Sequence, residues 1–386
     1  MGTKEQTVRH HGRSEHRGGV HWRRLIGLGL TFAVSVAAAG VIQPAASATS
    51  LASSAGGKFS AAPDRHPGAR GILLAWSRFV DLNSNAARIV IGRPNGGPVR
   101  ELTHSSNGVQ DIDPKFSPDG NRVLFERDLP DGTTQVVVVN VDGSGEHVLP
   151  LGCVDLCAAD VSPTWAPDGR HVYFTRVMGP FDQVNDSATS AVLWRARLDG
   201  HDLTRISPPG IDGAYEDSLA TFAPAGYMVF VRLRNADIKS AAFRRDHDGH
   251  IAQVTPYRLD ADELSVSPAT TGPSKNLIVF ETFGHGAPDG IAQAVATVPA
   301  RCGDAKQCSQ AVRYLTSPHS LPDQHFNPAW SPDGRQIAFV RFSFIAPGPA
   351  VGDIWRMNWN GRNRHPVSTS PLFEFRPAWG ASRTSS

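Results

Sequence analysis

Three segments of the chain share one pattern: "DIDPKFSPDGNRVLFER" from Asp111 to Arg127, "DVSPTWAPDGRHVYFTR" from Asp160 to Arg176, and "HFNPAWSPDGRQIAFVR" from His325 to Arg341. Each begins with an acid or His, passes through Pro and an aromatic to Pro-Asp-Gly, and ends in a short apolar run closed by Phe-x-Arg. Pro presets φ at the second turn position, Asp supplies a side-chain acceptor, and Gly takes the position with positive φ. The pattern therefore predicts two strands joined by a tight turn. Degenerate copies widen it: "DSLATFAPAG", "DELSVSPATTG" and "EFRPAWG" for the first strand, and "YMVFVR" and "LIVFET" for the second. A third strand runs into a hairpin in most units, as in "QVVVVNVDGSG" and "DIWRMNWNGR", and Asp-Gly or Asn-Gly between apolar runs is a strong hairpin signal. A fourth, shorter strand follows: "VRELTH", "EHVLPL", "DLTRIS", "IAQVTP", "AVRYLT", "RHPVST".

Six units of four strands at a period of about 50 residues imply a repeat architecture. The last copy, at Glu374, has no strand after it, and its missing partner is "GILLAWSR" at Gly71. An inner strand from the C-terminus would thus complete outer strands from the N-terminus. The expected fold is all-β: a six-bladed β-propeller of four-stranded antiparallel blades, with the ring closed by that exchange. Closure also protects edges that an open array would expose.

The Ser-Pro-Asp-Gly grammar, at Ser117 to Gly120, Ala166 to Gly169 and Ser331 to Gly334, resembles the TolB-like β-propellers built from WD40-like repeats. The resemblance covers about residues 71 to 380. Similar repeats form the translocation protein of the Tol–Pal system, the propeller of prolyl oligopeptidases and some sugar-acid lyases, so the resemblance implies a fold and leaves several functions open.

The expected organisation is a signal peptide over 1–48, which could also stay as an uncleaved anchor, a flexible linker over 49–70, the propeller over 71–380, and a tail over 381–386. Arg23 and Arg24 precede an apolar run from Leu25 to Ile42, and "ASA" at Ala46 to Ala48 has the small-residue pattern of a cleavage site. This predicts export to an extracellular, cell-wall or periplasmic space, with no membrane span after cleavage. The arginine pair leaves the Sec and twin-arginine routes both open. In an oxidising compartment the close pairs Cys153/Cys157 and Cys302/Cys308 are expected as two local disulfides, ahead of zinc, whose usual spacings are absent. Of 386 residues, 19% are charged and 40% hydrophobic, with net charge +2, which argues against a nucleic-acid partner.

The outer charges of the repeat are the candidate site. Glu374, Asp111, Asp160, Asp217 and His325 begin inner strands; Arg78, Arg127, Arg176, Arg232 and Arg341 end the strands paired with them. In an antiparallel hairpin, residues equally far from the turn come close. The fifth unit has Ala261 and Thr282 instead, so acid and Arg are lost together, as a structural pair requires. The ring either ties strands together or lines a binding funnel at the channel mouth. The longer connections, at 178–190, 208–216, 345–352 and the "CVDLC" loop, gather on that same face, with His285 in "FGHGAPDG".

There is no Gly-x-Ser-x-Gly and no His-Glu-x-x-His, and only six residues follow Gly380, which removes the prolyl oligopeptidase reading. The primary expectation is a monomeric, non-catalytic module binding a protein, peptide or glycan on its loop-rich face. The alternative is a metal-assisted carbohydrate-active enzyme, a lyase or hydrolase, with its site at the channel mouth. No cofactor is expected, with a divalent cation in the channel left open.

Overall fold

The computed structural model describes residues 71–381 apart from 82–84, 107, 155, 180–189, 284–292, 303–304, 318–322 and 344–350. The predicted signal peptide and linker, residues 382–386 of the tail, and His285 lie outside the described residues. Apart from the short helix α1 (Ala305–Gln310) and a 3-10 turn at Tyr257–Leu259, the regular structure is β.

The strands fall into four-stranded antiparallel groups in the order read from the repeat. The first joins β1 (Ile72–Phe79), β2 (Ala87–Gly92) and β3 (Arg100–Glu101) to the last strand, β24 (Glu374–Ala381). The second holds β4 (Gln110–Phe116), β5 (Arg122–Asp128), β6 (Thr134–Asn140) and β7 (His147–Val148), and touches the first through one parallel bridge, Ala87 to Gln110. The third holds β8 (Cys157–Trp165), β9 (His171–Met178), β10 (Ser190–Arg197) and β11 (Thr204–Arg205). Then come β12 (Tyr215–Phe222), β13 (Met228–Arg234), β14 (Lys239–Arg245) and β15 (Ile251–Gln253), followed by β16 (Asp262–Val266), β17 (Leu277–Phe283), β18 (Gln293–Pro299) and β19 (Arg313–Tyr314). The final group is β20 (Asp323–Trp330), β21 (Gln336–Ser343), β22 (Val351–Asn358) and β23 (His365–Pro366).

Neighbouring groups pack face to face through apolar strand residues. Leu124, Val136 and Val138 meet Trp165, Val172 and Phe174, while Val279 and Val295 meet Ile337, Phe339 and Met357. The same happens between the two ends of the chain, where Trp76, Val90 and Trp379 pack with Val340 and Ile354. Two aromatics of the repeat add a hydrogen bond across the groups: Trp165 Nε1 donates to the Lys115 carbonyl and Trp379 Nε1 to that of Ala329, both at 3.0 Å.

The Pro-Asp-Gly turns close as their residues dictate. Gly120 N–H donates to Ser117 O at 2.8 Å, Gly169 to Ala166 O at 3.0 Å and Gly334 to Ser331 O at 2.8 Å. The second proline of the motif, upstream of the aromatic, answers to a different feature. Each of β4, β8, β12, β16, β20 and β24 carries a register shift, and within it one residue with positive φ: Asp113, Ser162, Leu219, Glu263, Asn327 and Arg376. In four of these strands the next residue is proline, which has no N–H to give to a ladder and is tolerated inside a sheet at a bulge.

Candidate functional site

The predicted acid–Arg columns are in register. Arg78 stands opposite Glu374, Arg127 opposite Asp111, Arg176 opposite Asp160, Arg232 opposite Asp217 and Arg341 opposite His325. In the fifth group Asp262 faces Glu281, which sets Ala261 against Thr282. Three pairs are forked. Arg127 donates to Asp111 at 2.6 and 3.1 Å, Arg176 to Asp160 at 2.8 Å twice, and Arg232 to Asp217 at 2.6 and 2.8 Å. Arg78 instead reaches Glu101 at 3.6 Å, and the His325 ring meets Phe339 edge-on with centroids 5.6 Å apart.

All five inner-strand members are buried; Asp111 and Glu374 have no exposed surface. Burial pushes the carboxyls of Asp111, Asp160 and Glu374 up, against the neighbouring guanidiniums that hold them down. A hydroxyl from the preceding group completes the junction at Asp217: Ser207 Oγ donates to Asp217 Oδ2 at 2.7 Å and accepts from Leu193 N–H at 3.0 Å. Thr103, Thr255 and Thr316 accept in the same way from Ile89, Ala242 and Val295. The signal for these hydroxyls was present in the fourth-strand runs "ELTH", "RIS", "VTP" and "YLT", where one Ser or Thr recurs near the end.

Two residues further along, the six bulges turn their side chains into one shared cavity of about 680 Å³. Its inner end is lined by Asp113, Ser162, Leu219, Glu263, Asn327 and Arg376, and its rim by Pro118, Pro167, Pro224, Pro268 and Pro332 of the turns. The described cavity therefore lies on the turn side of the acid–Arg columns, away from the loop-rich face.

The inner end is a charge cluster that sequence reasoning missed. Arg376 is buried, with its guanidinium 3.2 Å from Glu263 and 3.5 Å from Asp113, and Lys115 Nζ lies 2.5 Å from Asp113. Behind this layer, Glu126 accepts the Ser162 N–H at 2.7 Å and Glu281 accepts the Asn327 N–H at 2.9 Å, so each carboxylate holds a bulge of the next group. Burial pushes both glutamates well above the usual range, reinforced by Asp128 for Glu126 and by Glu263 and Asp262 for Glu281. Burial also brings Asp128 up to about 6. The same carboxylates hold Arg376 above its ordinary value, so its charge is permanent.

Carboxylate oxygens could ligate a hard cation, but those of Asp113 and Glu263 already face Arg376 and Lys115. Among the described residues the one group with metal-ligand spacing is Cys153, Cys157 and Asp160. It is spent: the cysteines are bonded to each other and Arg176 holds Asp160. Both expected disulfides, Cys153–Cys157 and Cys302–Cys308, are present.

No family model matches the chain. Over 57 residues, 15% of its length, it is 44% identical to the Tol-Pal system protein TolB of Rhizorhabdus wittichii, of which that stretch is 12%. The crystal structure of TolB from Acinetobacter baumannii superposes with a TM-score of 0.57 at 18% identity, covering 81% of this chain and 68% of that one. The fold is TolB-like. The four-stranded antiparallel groups are those of a β-propeller. An oligogalacturonate lyase in complex with manganese superposes with a TM-score of 0.45 at 14% identity, covering 78% of this chain and 75% of the lyase, too loosely to carry an argument. Among the described residues, no helix is long and apolar enough to cross a membrane.

Proposed function

We propose that the chain is an exported, non-catalytic, six-bladed propeller whose central cavity receives a segment of a protein partner. Six inner strands share one bulge and one cavity, and the apolar packing of Trp76 and Trp379 with Val340 and Ile354 supports a ring closed by β24 beside β1. The observation that carries the binding role is the cavity itself. Two carboxylates, Asp113 and Glu263, meet two cations, Lys115 and Arg376, at its inner end, its wall mixes Thr164, Thr221 and Ser265 with Phe222 and Trp330, and its rim is proline. A peptide entering finds a charge-balanced inner end that offers both donors and acceptors, with apolar surface around it. TolB, whose fold this chain shares, is named as a Tol-Pal system protein, which supports a protein as partner.

The described cavity lining contains no histidine, and its carboxylates face Arg376 and Lys115. That donor set favours binding over the metal-assisted enzyme. The acid–Arg columns, buried within the groups, serve this reading as the frame of the funnel. The two disulfides and the apolar N-terminal run support export to an oxidising space.

The test is site-specific photo-crosslinking in the native host, with benzoyl-phenylalanine at Thr221 or Ser265 in the cavity and at exposed Asp199 as control. A discrete protein adduct from the cavity positions alone is expected. Equal labelling from Asp199, or none from the cavity, would refute the reading. Sequencing the N-terminus of the exported protein should find a start near Thr49, and an intact N-terminus in the membrane fraction would contradict cleavage.

A further inference from the structure

The repeat breaks in two places, and the two breaks meet. Between the first and second strands of a unit, the closing backbone bond spans few residues: Ser117 N–H to Arg122 O, Ala166 to His171, Ala223 to Tyr227 and Ser331 to Gln336. In the fifth unit the equivalent bond runs from Ser267 N–H to Leu277 O, and the extra residues form a loop, "PATTGPSKN". That loop leans on the next turn. A Cβ added to Gly334 would sit 2.7 Å from Ala269 Cβ and 2.9 Å from Ser267 Oγ, so the close approach depends on glycine. The second break is at the hairpin after β22. There Trp359 N–H donates to Arg335 O, the bond that Val141 and Leu198 make to Asn121 and Arg170 in other units. An aliphatic position has become tryptophan where the inserted loop stands.

Loop and tryptophan line one groove of about 800 Å³, separate from the inner end of the central cavity. Its size falls within the range of small-molecule sites, about 300–1,000 Å³. Trp359 is half-buried, packed on one side against the core of the last two units. Around it stand the hydroxyls of Thr270 and Thr271 and the side-chain amides of Gln336 and Asn358. The acid at the edge, Asp333, is occupied by its own turn, accepting from Ser331 Oγ at 2.6 Å and Arg335 N–H at 3.0 Å. Arg335, 84% exposed, stands at the same edge with Nε 4.0 Å from Asp333 Oδ2, so the two charges offset each other there.

We infer that this groove is a binding site for a neutral oligosaccharide, with a pyranose ring stacked on Trp359. The C–H face of a pyranose is matched by an aromatic ring, and its hydroxyls need groups that both donate and accept. Thr hydroxyls and Asn or Gln amides do both, whereas ionised side chains do one. A phosphate or carboxylate ligand would call for an excess of cations in the groove, and a basic one for an excess of acids; the single pair of Asp333 and Arg335 supplies neither.

The test is saturation-transfer NMR followed by calorimetry on the mature chain, with maltotetraose, cellotetraose and chitotetraose as probes. At least one should bind, with contacts strongest at the ring C–H protons. Trp359→Ala should raise Kd at least tenfold. Since Trp359 also supports the core, Thr271→Trp supplies the second arm: it fills the groove from its exposed wall, and should abolish binding with the melting temperature unchanged. No saturation transfer from any probe at millimolar concentration would overturn the inference. So would binding that survives both variants, because the sugar would then sit elsewhere.

Discussion

Replacing Arg376 with Met keeps most of the side-chain volume and removes the central guanidinium. The charge stands 3.2 Å from Glu263 and 3.5 Å from Asp113, with Glu126 and Glu281 in the next layer. At an effective dielectric of about 20, each close contact is worth roughly 5 kcal/mol before desolvation is counted. What remains after desolvation is smaller, and taking one partner from a buried pair typically costs about 3–5 kcal/mol. Urea unfolding of Arg376→Met at pH 7.5 should therefore show a loss in that range. The pH dependence has a definite sign. Glu126 and Glu281 already have raised folded pKa values, so the stability they contribute is present at low pH and lost as pH rises. Without Arg376 their ionised forms lose an attraction and rise further. The deficit relative to the unmodified protein should thus shrink in acid, where both forms hold protonated carboxyls, and widen toward neutrality. Adding Glu263→Gln should recover part of the loss, so that the double change costs less than the sum of the two. A loss below about 1 kcal/mol that is flat with pH would refute the idea that one arginine neutralises the cluster.

Three further outcomes follow from the geometry. Asp160→Ala and Arg176→Ala should each cost about 3–5 kcal/mol and be strongly non-additive, because the pair is forked and buried; additive effects in a chemical-denaturation cycle would make the two residues independent. Asp128 titrates in the folded protein at about 6 against an ordinary 3.8, so its stabilising contribution is complete below 3.8 and disappears as pH rises through about 6; Asp128→Asn should flatten the stability profile across that window. Gly380→Ala places a Cβ 2.4 Å from the Phe116 ring on β4, and should destabilise by about 1–3 kcal/mol, relieved by Phe116→Leu; an unchanged melting temperature would contradict the packing of β24 against β4.

The sequence revealed what the units have in common. Pro-Asp-Gly fixed the turns, and Arg stands opposite an acid in four units and opposite His325 in a fifth, as their equal distances from a turn require. In the remaining unit Ala261 and Thr282 occupy these positions, next to the paired Asp262 and Glu281. The cavity was not legible, because it is built from the column where the units differ. Asp113, Ser162, Leu219, Glu263, Asn327 and Arg376 share a backbone conformation and no side-chain chemistry. A positive φ at a non-glycine residue leaves only an indirect trace, the proline that follows it in four of the six strands, and the bulge it creates shifts the inward-facing alternation by one. Arg376 stands before a proline in "EFRPAWG" and Glu126 near the end of the apolar run "VLFER", and neither string marks its charge as inward-facing. Burial of the acid columns was equally hidden, since the alternation that would place them inside or outside depends on that same bulge.

The pairing of β1 with β24 has a consequence for how the protein is made. Among the described strands, the one that emerges earliest from the ribosome waits for the one that emerges latest. Until β24 is made, β1, eight residues long and apolar apart from Ser77 and Arg78, presents a backbone edge whose native partner does not yet exist. In that interval the edge must be kept from finding a foreign strand. A premature stop before Glu374 would leave the same edge open for the lifetime of the molecule, and would also remove the arginine that balances the central carboxylates. Quality control of truncated chains is thus written into the order of the strands.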